Sequence, residues 1–350
     1  MTTTGTTRSA GPAVRVLTEA QVRTLLPPAE ALDVVREAMI AQARGKVSKP
    51  APWHLEVPAA DASVHGEVHV KGAYVHDASH YTVKLATGFF GNRELGIPVS
   101  SGLSVIADAT TGFPTVIALD NGYLTDVRTG AAGALAAQVL SRIDSHRVAL
   151  IGPGHQADYQ LRALLQVRNP RELVVHGRDR ARAKAFARRA QALHSWEVQV
   201  AADSEEAVRR ADIIITVTPS RAPYLHGEWI KPGAHITAVG SDMEGKQELH
   251  LSALRRAAVV AADDPDQCLH IGELQHAAKV GITDTLNIEA LGDVLAGLHP
   301  GRSSETEITI ADLTGLGAQD AAMGARLATA LMECSRSTAG TGNGAAGSVI

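Results

Sequence analysis

The residues of this chain whose types and spacing could do chemistry begin with Ile151-Gly-Pro-Gly-His-Gln-Ala157. The stretch follows a short apolar run, His146–Leu150, so its two glycines fall where a buried strand would turn into a helix. Such a turn points backbone N–H groups outward at a helix start, where the helix dipole favours an anion. Gly152, Gly154 and Ala157 have the G-x-G-x-x-A spacing of a dinucleotide-binding turn, in the strand-to-helix context that it requires. Pro153 lacks an N–H, so the donors for a pyrophosphate are those of Gly154, His155 and Gln156. His155 reads as a bystander at the helix start rather than as a catalytic base. The next strand, ending Val175-His-Gly-Arg-Asp-Arg180, bears on the choice of cofactor. An NAD site places an acid there on the ribose 2′-hydroxyl, whereas an NADP site accommodates arginine. Gly177 stands at the acidic position and Arg178 follows it, which favours NADP(H); Asp179 keeps NAD(H) open.

A second group lies on strands. Alternate strand residues share a face, which puts Glu67, His69 and Lys71 together in GEVHVKG. In YTVKLA, Thr82 and Lys84 share one side, and Tyr81, Val83 and Leu85 the other. Taken singly, each polar side is a solvated sheet face. Arg128 shifts that reading, because it lies near the start of an Ala-rich helix, where the macrodipole disfavours a cation by about 0.3–1 kcal/mol. A cation kept there suits an anionic partner, and a substrate carboxylate gripped by Lys84 and Arg128 would be one. Asp242 ends the run HITAVGSD, at the carboxyl edge of a parallel strand, where open α/β sheets bind ligands. Its alternative role is to cap the turn that follows.

The elements that must position these residues change in period along the chain. Thr18 and Gln21 have capping-box spacing for a short helix, and Pro28 suits the first turn of a second, with Leu32, Val35 and Met39 at helical spacing. From Val64 to Asp120 the pattern is of strands separated by turn signals, as in antiparallel structure. TDVRTGAAGALAAQVL is helical, and after it strands alternate with the helices His155–Gln166, Arg180–Leu193 and Ser204–Arg210. That alternation indicates a parallel sheet with helices on both faces, a Rossmann-type α/β domain joined to an α+β domain with antiparallel strands. The run ITIADL and the helix Asp320–Met332 are expected to fold back onto the first domain. The expected boundaries are 14–125 with 312–334 for the first domain and 126–311 for the Rossmann domain, with disordered ends at 1–13 and 335–350.

Composition bounds the function. In 350 residues with 45% hydrophobic and 20% charged side chains, a net charge of −4 gives no basic footprint for nucleic acid. Two cysteines, Cys268 and Cys334, are too few and too far apart for a disulfide framework or zinc site, and no metal site is expected. No apolar run approaches a membrane span, and the N-terminus has no signal-peptide core. A reducing cytoplasm is the natural setting.

Several of these segments agree in order and spacing with one known family. Val83-Lys84, DNGYLTDVRT (Asp120 to Thr129), IGPGHQ and VGSDMEGKQE resemble the ornithine cyclodeaminase/μ-crystallin family, over about Leu17 to Leu331. Within it, GFFGNRELGIP, LDNGYLTDVRT and LTGLGAQD look most like the ectoine-utilisation branch. The resemblance implies a homodimer paired through the antiparallel domain. It implies that Lys84 and Arg128 bind a substrate carboxylate and that Asp242 is the acid/base at the substrate amine. His69 and Lys71 would line the active site, with Thr216, Thr218 and Thr129 on the cofactor side. The family's cyclodeaminases carry a further arginine before the first long strand; here Lys49-Pro-Ala-Pro-Trp-His54 offers His54 instead. The implied chemistry is hydride transfer between a nicotinamide and the α-carbon of a small imino or amino acid, by an imine reductase or amino-acid dehydrogenase. The alternatives are a cyclodeaminase that recycles its cofactor and a non-catalytic binder of a small ligand, as μ-crystallin is.

Overall fold

The computed structural model describes residues 12–58, 64–194 and 196–340; of the ends expected to be disordered, 1–13 and 335–350, residues 1–11 and 341–350 lie outside these, whereas 335–340 are helical. In chain order the elements begin with β1 (Arg15–Thr18), α1 (Glu19–Leu25), α2 (Ala31–Ala43), β2 (Val47–Ser48), β3 (Trp53–Pro58) and β4 (Val64–Val75). There follow β5 (His80–Phe89), β6 (Ser100–Asp108), β7 (Pro114–Leu119), α3 (Tyr123–Leu140), β8 (Arg147–Ile151) and α4 (His155–Leu164). Next come β9 (Glu172–His176), α5 (Arg180–Leu193), β10 (Glu197–Val200), α6 (Ser204–Val208), β11 (Ile213–Thr216) and β12 (His235–Ala238). The last are α7 (Leu251–Arg256), β13 (Ala257–Ala262), α8 (Pro265–Ile271), α9 (Leu274–Lys279), β14 (Ile288–Ala290), α10 (Leu291–Leu295), β15 (Ile308–Asp312) and α11 (Gly317–Gly340). The chain forms two units, one from residues up to Leu26 with Ser48–Tyr123 and Asp320 onward, the other Pro27–Val47 with Leu124–Gln319.

The first unit is built on a seven-stranded mixed sheet, β1-β7-β6-β5-β4-β2 with β3 also on β4. The predicted capping box forms: Thr18 and Gln21 bond each other's backbone at the start of α1. Strands β4 to β7 run antiparallel, and β1 adds to β7 in parallel. Their register aligns Lys71, Lys84, Ser104 and Ala118 across one face, with Ala73, Thr82, Ile106 and Val116 in the next row. On the other face Val83, Val105, Ile117 and Val16 form a row, flanked by Trp53, Val70, Leu85 and Leu103. The polar face is not solvated. Lys71, Thr82 and Lys84 are buried, whereas Val83, Val16, Trp53 and Leu119 on the apolar face are exposed. The cause is α11, which lies on the polar side: Gly324 approaches Thr82 and Ile106 so closely that a Cβ there would collide with Thr82 Oγ1.

The second unit is an eight-stranded, wholly parallel sheet in the order β10-β9-β8-β11-β12-β15-β13-β14. Its strands alternate between two cores. Val148, Leu150, Ile213 and Ile215 pack with Leu161 of α4 and Phe186 of α5. Ala149, Ile151, Ile214, Ile236 and Ile310 pack with Leu254, Cys268 and Leu274 of α7, α8 and α9. Helices therefore cover both faces, as a parallel sheet requires. The run ITIADL does not fold back with α11. As β15 it pairs with β12 on one side and β13 on the other, and each of its residues is buried. A buried strand whose only charge is a terminal acid is a central strand, which local periodicity does not distinguish from one on a second domain. No helix among the described residues is long and apolar enough to cross a membrane.

Candidate active site

The glycine turn follows β8 and Gly154 caps α4. Gly152 has φ +101°, and a Cβ there would lie 2.6 Å from Val217 O. At Gly154, by contrast, a Cβ would meet nothing within 4 Å, so the donors at the start of α4 can be approached closely. His155 Nε2 pairs with Asp126 Oδ2 at 2.6 Å, and Gln156 donates to Asp126 O at 3.2 Å, tying the turn to α3. Gln156 Oε1 is buried with no partner among the described residues. Thr129 bonds back to Thr125 O at 2.7 Å, while its own carbonyl accepts from Gln160. At the end of β9, a Cβ on Gly177 would lie 2.5 Å from Pro153 Cδ, so no acidic side chain could stand there. Asp179 instead caps α5, accepting from the Ala181 and Arg182 amides at 2.9 and 3.1 Å. Arg178 is exposed and makes no hydrogen bond or ion pair among the described residues.

Thr216 ends β11 and Thr218 follows two residues on; both hydroxyls donate to the carboxylate of Glu248. Asp242 lies beyond the end of β12, in a tight turn through Gly245 at φ +77°. Lys246 Nζ is 2.9 Å from Asp242 Oδ1, with the lysine side chain 8% exposed and the aspartate 41%. Beneath these loops lie Glu248, Glu273, Asp263 and Asp312, all buried. Burial pushes the four carboxyls upward against the donors that pull them down, Asp312 to about 7.

Arg128, on α3, is 6% exposed, and its Nη1 donates to Gln319 Oε1 at 3.3 Å. Gly315, at φ +77°, leaves the room it needs, since a Cβ would lie 2.5 Å from Nη1. In the first unit, Lys84 is 4% exposed, and its Nζ meets both carboxylate oxygens of Asp320 on α11, at 3.0 and 2.9 Å. Lys71 is its cross-strand neighbour. His54 and His69 face each other across β3 and β4 and bond Nδ1 to Nδ1 at 2.8 Å, with Glu67 3.4 Å from His69 Nε2. Lys84, Lys71, His69 and His54 thus share one sheet face, as the alternation predicts. The glycine turn, Arg178, Thr129, Arg128, Thr216, Thr218 and Asp242 belong to the second unit.

Five residues that carry these contacts were not singled out from the sequence: Asp126, Lys246, Glu248, Gln319 and Asp320. Each falls inside a recognised motif segment, and that was their only signal. The i,i+4 spacing of Asp242 and Lys246 was the nearest thing to a local one.

A parallel sheet in this strand order, with a glycine turn at the reversal point and polar loops at the carboxyl edge, defines a Rossmann-type dinucleotide-binding protein. The model of the ornithine cyclodeaminase/mu-crystallin family matches residues 13–331, and the chain belongs to that family. An uncharacterized cyclodeaminase of Sinorhizobium fredii is 40% identical over 315 residues, 89% of this chain and 94% of that one. Among solved structures, an archaeal alanine dehydrogenase dimer with bound NAD superposes with a TM-score of 0.83 at 33% identity, covering 92% of this chain and 97% of the other. The Delta(1)-pyrroline-2-carboxylate reductase of Thermococcus litoralis, in complex with NADH and L-proline, gives a TM-score of 0.83 at 27% identity, covering 92% and 98%.

Proposed function

We propose that this protein is an oxidoreductase that moves hydride between a nicotinamide cofactor and the α-carbon of a small imino or amino acid. The observation that carries the reading is Arg128, a buried guanidinium for which Gly315 leaves space, in the same unit as the dinucleotide turn. The family relatives that reduce an imine or oxidise an amino acid support it.

In this reading Arg128 and Lys84 hold the substrate carboxylate, which fixes the α-carbon for transfer. His54, His69 and Lys71 contact the rest of the substrate. Asp242, paired with Lys246, is the acid/base: its protonated carboxyl delivers a proton to the imine nitrogen and the carboxylate left behind stabilises the iminium, while in the reverse direction that carboxylate accepts the proton from the amine. The nicotinamide, when bound, supplies or accepts the hydride.

The cofactor preference follows from the end of β9. Pro153 fills the place of an acid at Gly177, and Asp179 is engaged in capping α5, while Arg178 stands exposed beside them. Arg178 is suited to a 2′-phosphate, so we assign NADP(H) over NAD(H). A panel of imino and amino acids assayed with both cofactors tests these statements. NADPH should turn over at least one cyclic or linear imino acid, and Arg178→Ala should raise its KM about tenfold while leaving that of NADH alone. NADH outperforming NADPH throughout would overturn the phosphate assignment, and no turnover with either would overturn the oxidoreductase.

The likeness to the Sinorhizobium fredii cyclodeaminase favours a second reading, in which the cofactor is recycled. It requires ammonia release from a diamino acid with no net change in reduced cofactor, measured in the same assay.

The apolar face of the first unit supports a homodimer. Val16, Trp53, Val83 and Leu119, at 57%, 54%, 44% and 46% exposure, form one strip of a sheet whose other face is buried. A second copy would cover this face.

A further inference from the structure

Three buried acids of the second unit form a ladder that ends at the loops after β11 and β12. Asp312, at the end of β15, accepts the amides of Glu273 and Leu274, both at 3.0 Å. Glu273 accepts the amides of Glu248 and Leu249 at 2.7 and 3.1 Å. Glu248, with 0% exposure, then accepts from Thr216 Oγ1, Thr218 N, Thr218 Oγ1, Tyr224 OH and Gly240 N, at 2.7 to 2.8 Å. One carboxylate therefore joins the segment leaving β11 to the segment leaving β12, two residues before Asp242. The glycine at 240 is part of the arrangement, since a Cβ there would lie 2.6 Å from Glu248 Oε2.

The strand order reverses at β8, so one half of a bound dinucleotide would lie over β8, β9 and β10 and the other over β11 and β12. The first half would meet the glycine turn and Arg178. The second half, which carries the nicotinamide, would meet the loops that Glu248 holds.

We infer that Glu248 is a positioning residue for the nicotinamide half of the cofactor, setting the Thr216–Thr218 and Gly240–Asp242 segments without touching the adenosine half. The inference rests on the dinucleotide reading above. The substitution that exposes it is Glu248→Gln, because each oxygen of Glu248 accepts a backbone N–H, at Thr218 and at Gly240. An amide nitrogen in place of either oxygen points N–H groups at an N–H and cannot be accommodated by flipping.

The test is the affinity of the full-length protein, by calorimetry, for NADPH and for 2′-phospho-ADP-ribose, which lacks only the nicotinamide. Glu248→Gln is expected to weaken NADPH about tenfold or more and to leave the fragment within about twofold. Equal weakening of both, or of neither, overturns the inference. Wild-type protein that binds neither probe overturns the dinucleotide reading along with it, whereas wild-type binding without the split removes the inference alone. Should Glu248→Gln fail to fold, Tyr224→Phe removes one hydroxyl donor from the same carboxylate. It must then show the same split at smaller size, and its absence overturns the inference equally.

Discussion

Burial and the helix dipole both act against a cation at Arg128, and the surrounding chain is shaped to keep one there. Gly315 is cut back to a hydrogen beside the guanidinium, and Gln319 turns its carbonyl toward it. A lysine would preserve the charge but not the planar fork that grips a carboxylate in two places. Arg128→Lys should therefore raise KM for the imino acid by roughly 10- to 150-fold, the equivalent of about 1.5–3 kcal/mol, with NADPH affinity unchanged. Initial-rate kinetics beside a binding titration check both halves, and an unchanged KM would remove Arg128 from the substrate. Arg128 and Lys84 were legible in the sequence because each is a cation at an unexpected place, near a helix start or on an alternating strand face. Their partners were not. Asp320 is 236 residues from Lys84, and Gln319 is 191 from Arg128; no local period encodes a pairing across such distances.

Strand β12 shows what a fully parallel sheet does to a titrating side chain. His235 has 0% exposure and is held by Thr309 Oγ1 and Thr237 Oγ1, both at 3.0 Å. Burial, with Arg302 and Arg168 nearby, lowers its pKa to about 3 from 6.5. The folded imidazole stays neutral where the unfolded one takes a proton, so its contribution to stability is complete above pH 6.5 and is lost as pH falls toward 3. His235→Gln removes that titration. The stability advantage of wild type over the variant, from urea midpoints, should narrow by up to about 1.4 kcal/mol per pH unit as pH falls below 6.5. A constant gap would show that the imidazole does not titrate on unfolding. Asp312 acts at the other end: its carboxyl, raised to about 7, contributes fully below 3.8 and is lost as pH rises through 7. Most strands and helices of this sheet could be read from alternation and glycine punctuation. The order of the strands could not, because a central apolar strand presents the same pattern whichever neighbours it takes.

Across the molecule, the exposed valine, tryptophan and leucine row on the first sheet departs from a self-contained surface. A charge in its middle should cost the proposed dimer its core. Val83→Asp is expected to shift the protein from dimer to monomer in light scattering behind size exclusion, while leaving the dinucleotide turn of the second unit able to bind NADPH. A wild-type monomer would overturn the dimer. The position of β15 carries a different consequence, for the order in which the chain can mature. Strands β12 and β13 do not pair with each other; β15 lies between them and bonds both. A ribosome releases the chain from its N-terminus, so β13 and β14 emerge well before the strand that attaches them. Until residues 308–312 follow, β12 and β13 each show a bare, hydrophobic hydrogen-bonding edge. The nascent protein is thus exposed to sticking to its neighbours until residues 308–312 have emerged, the interval in which a chaperone would be of use.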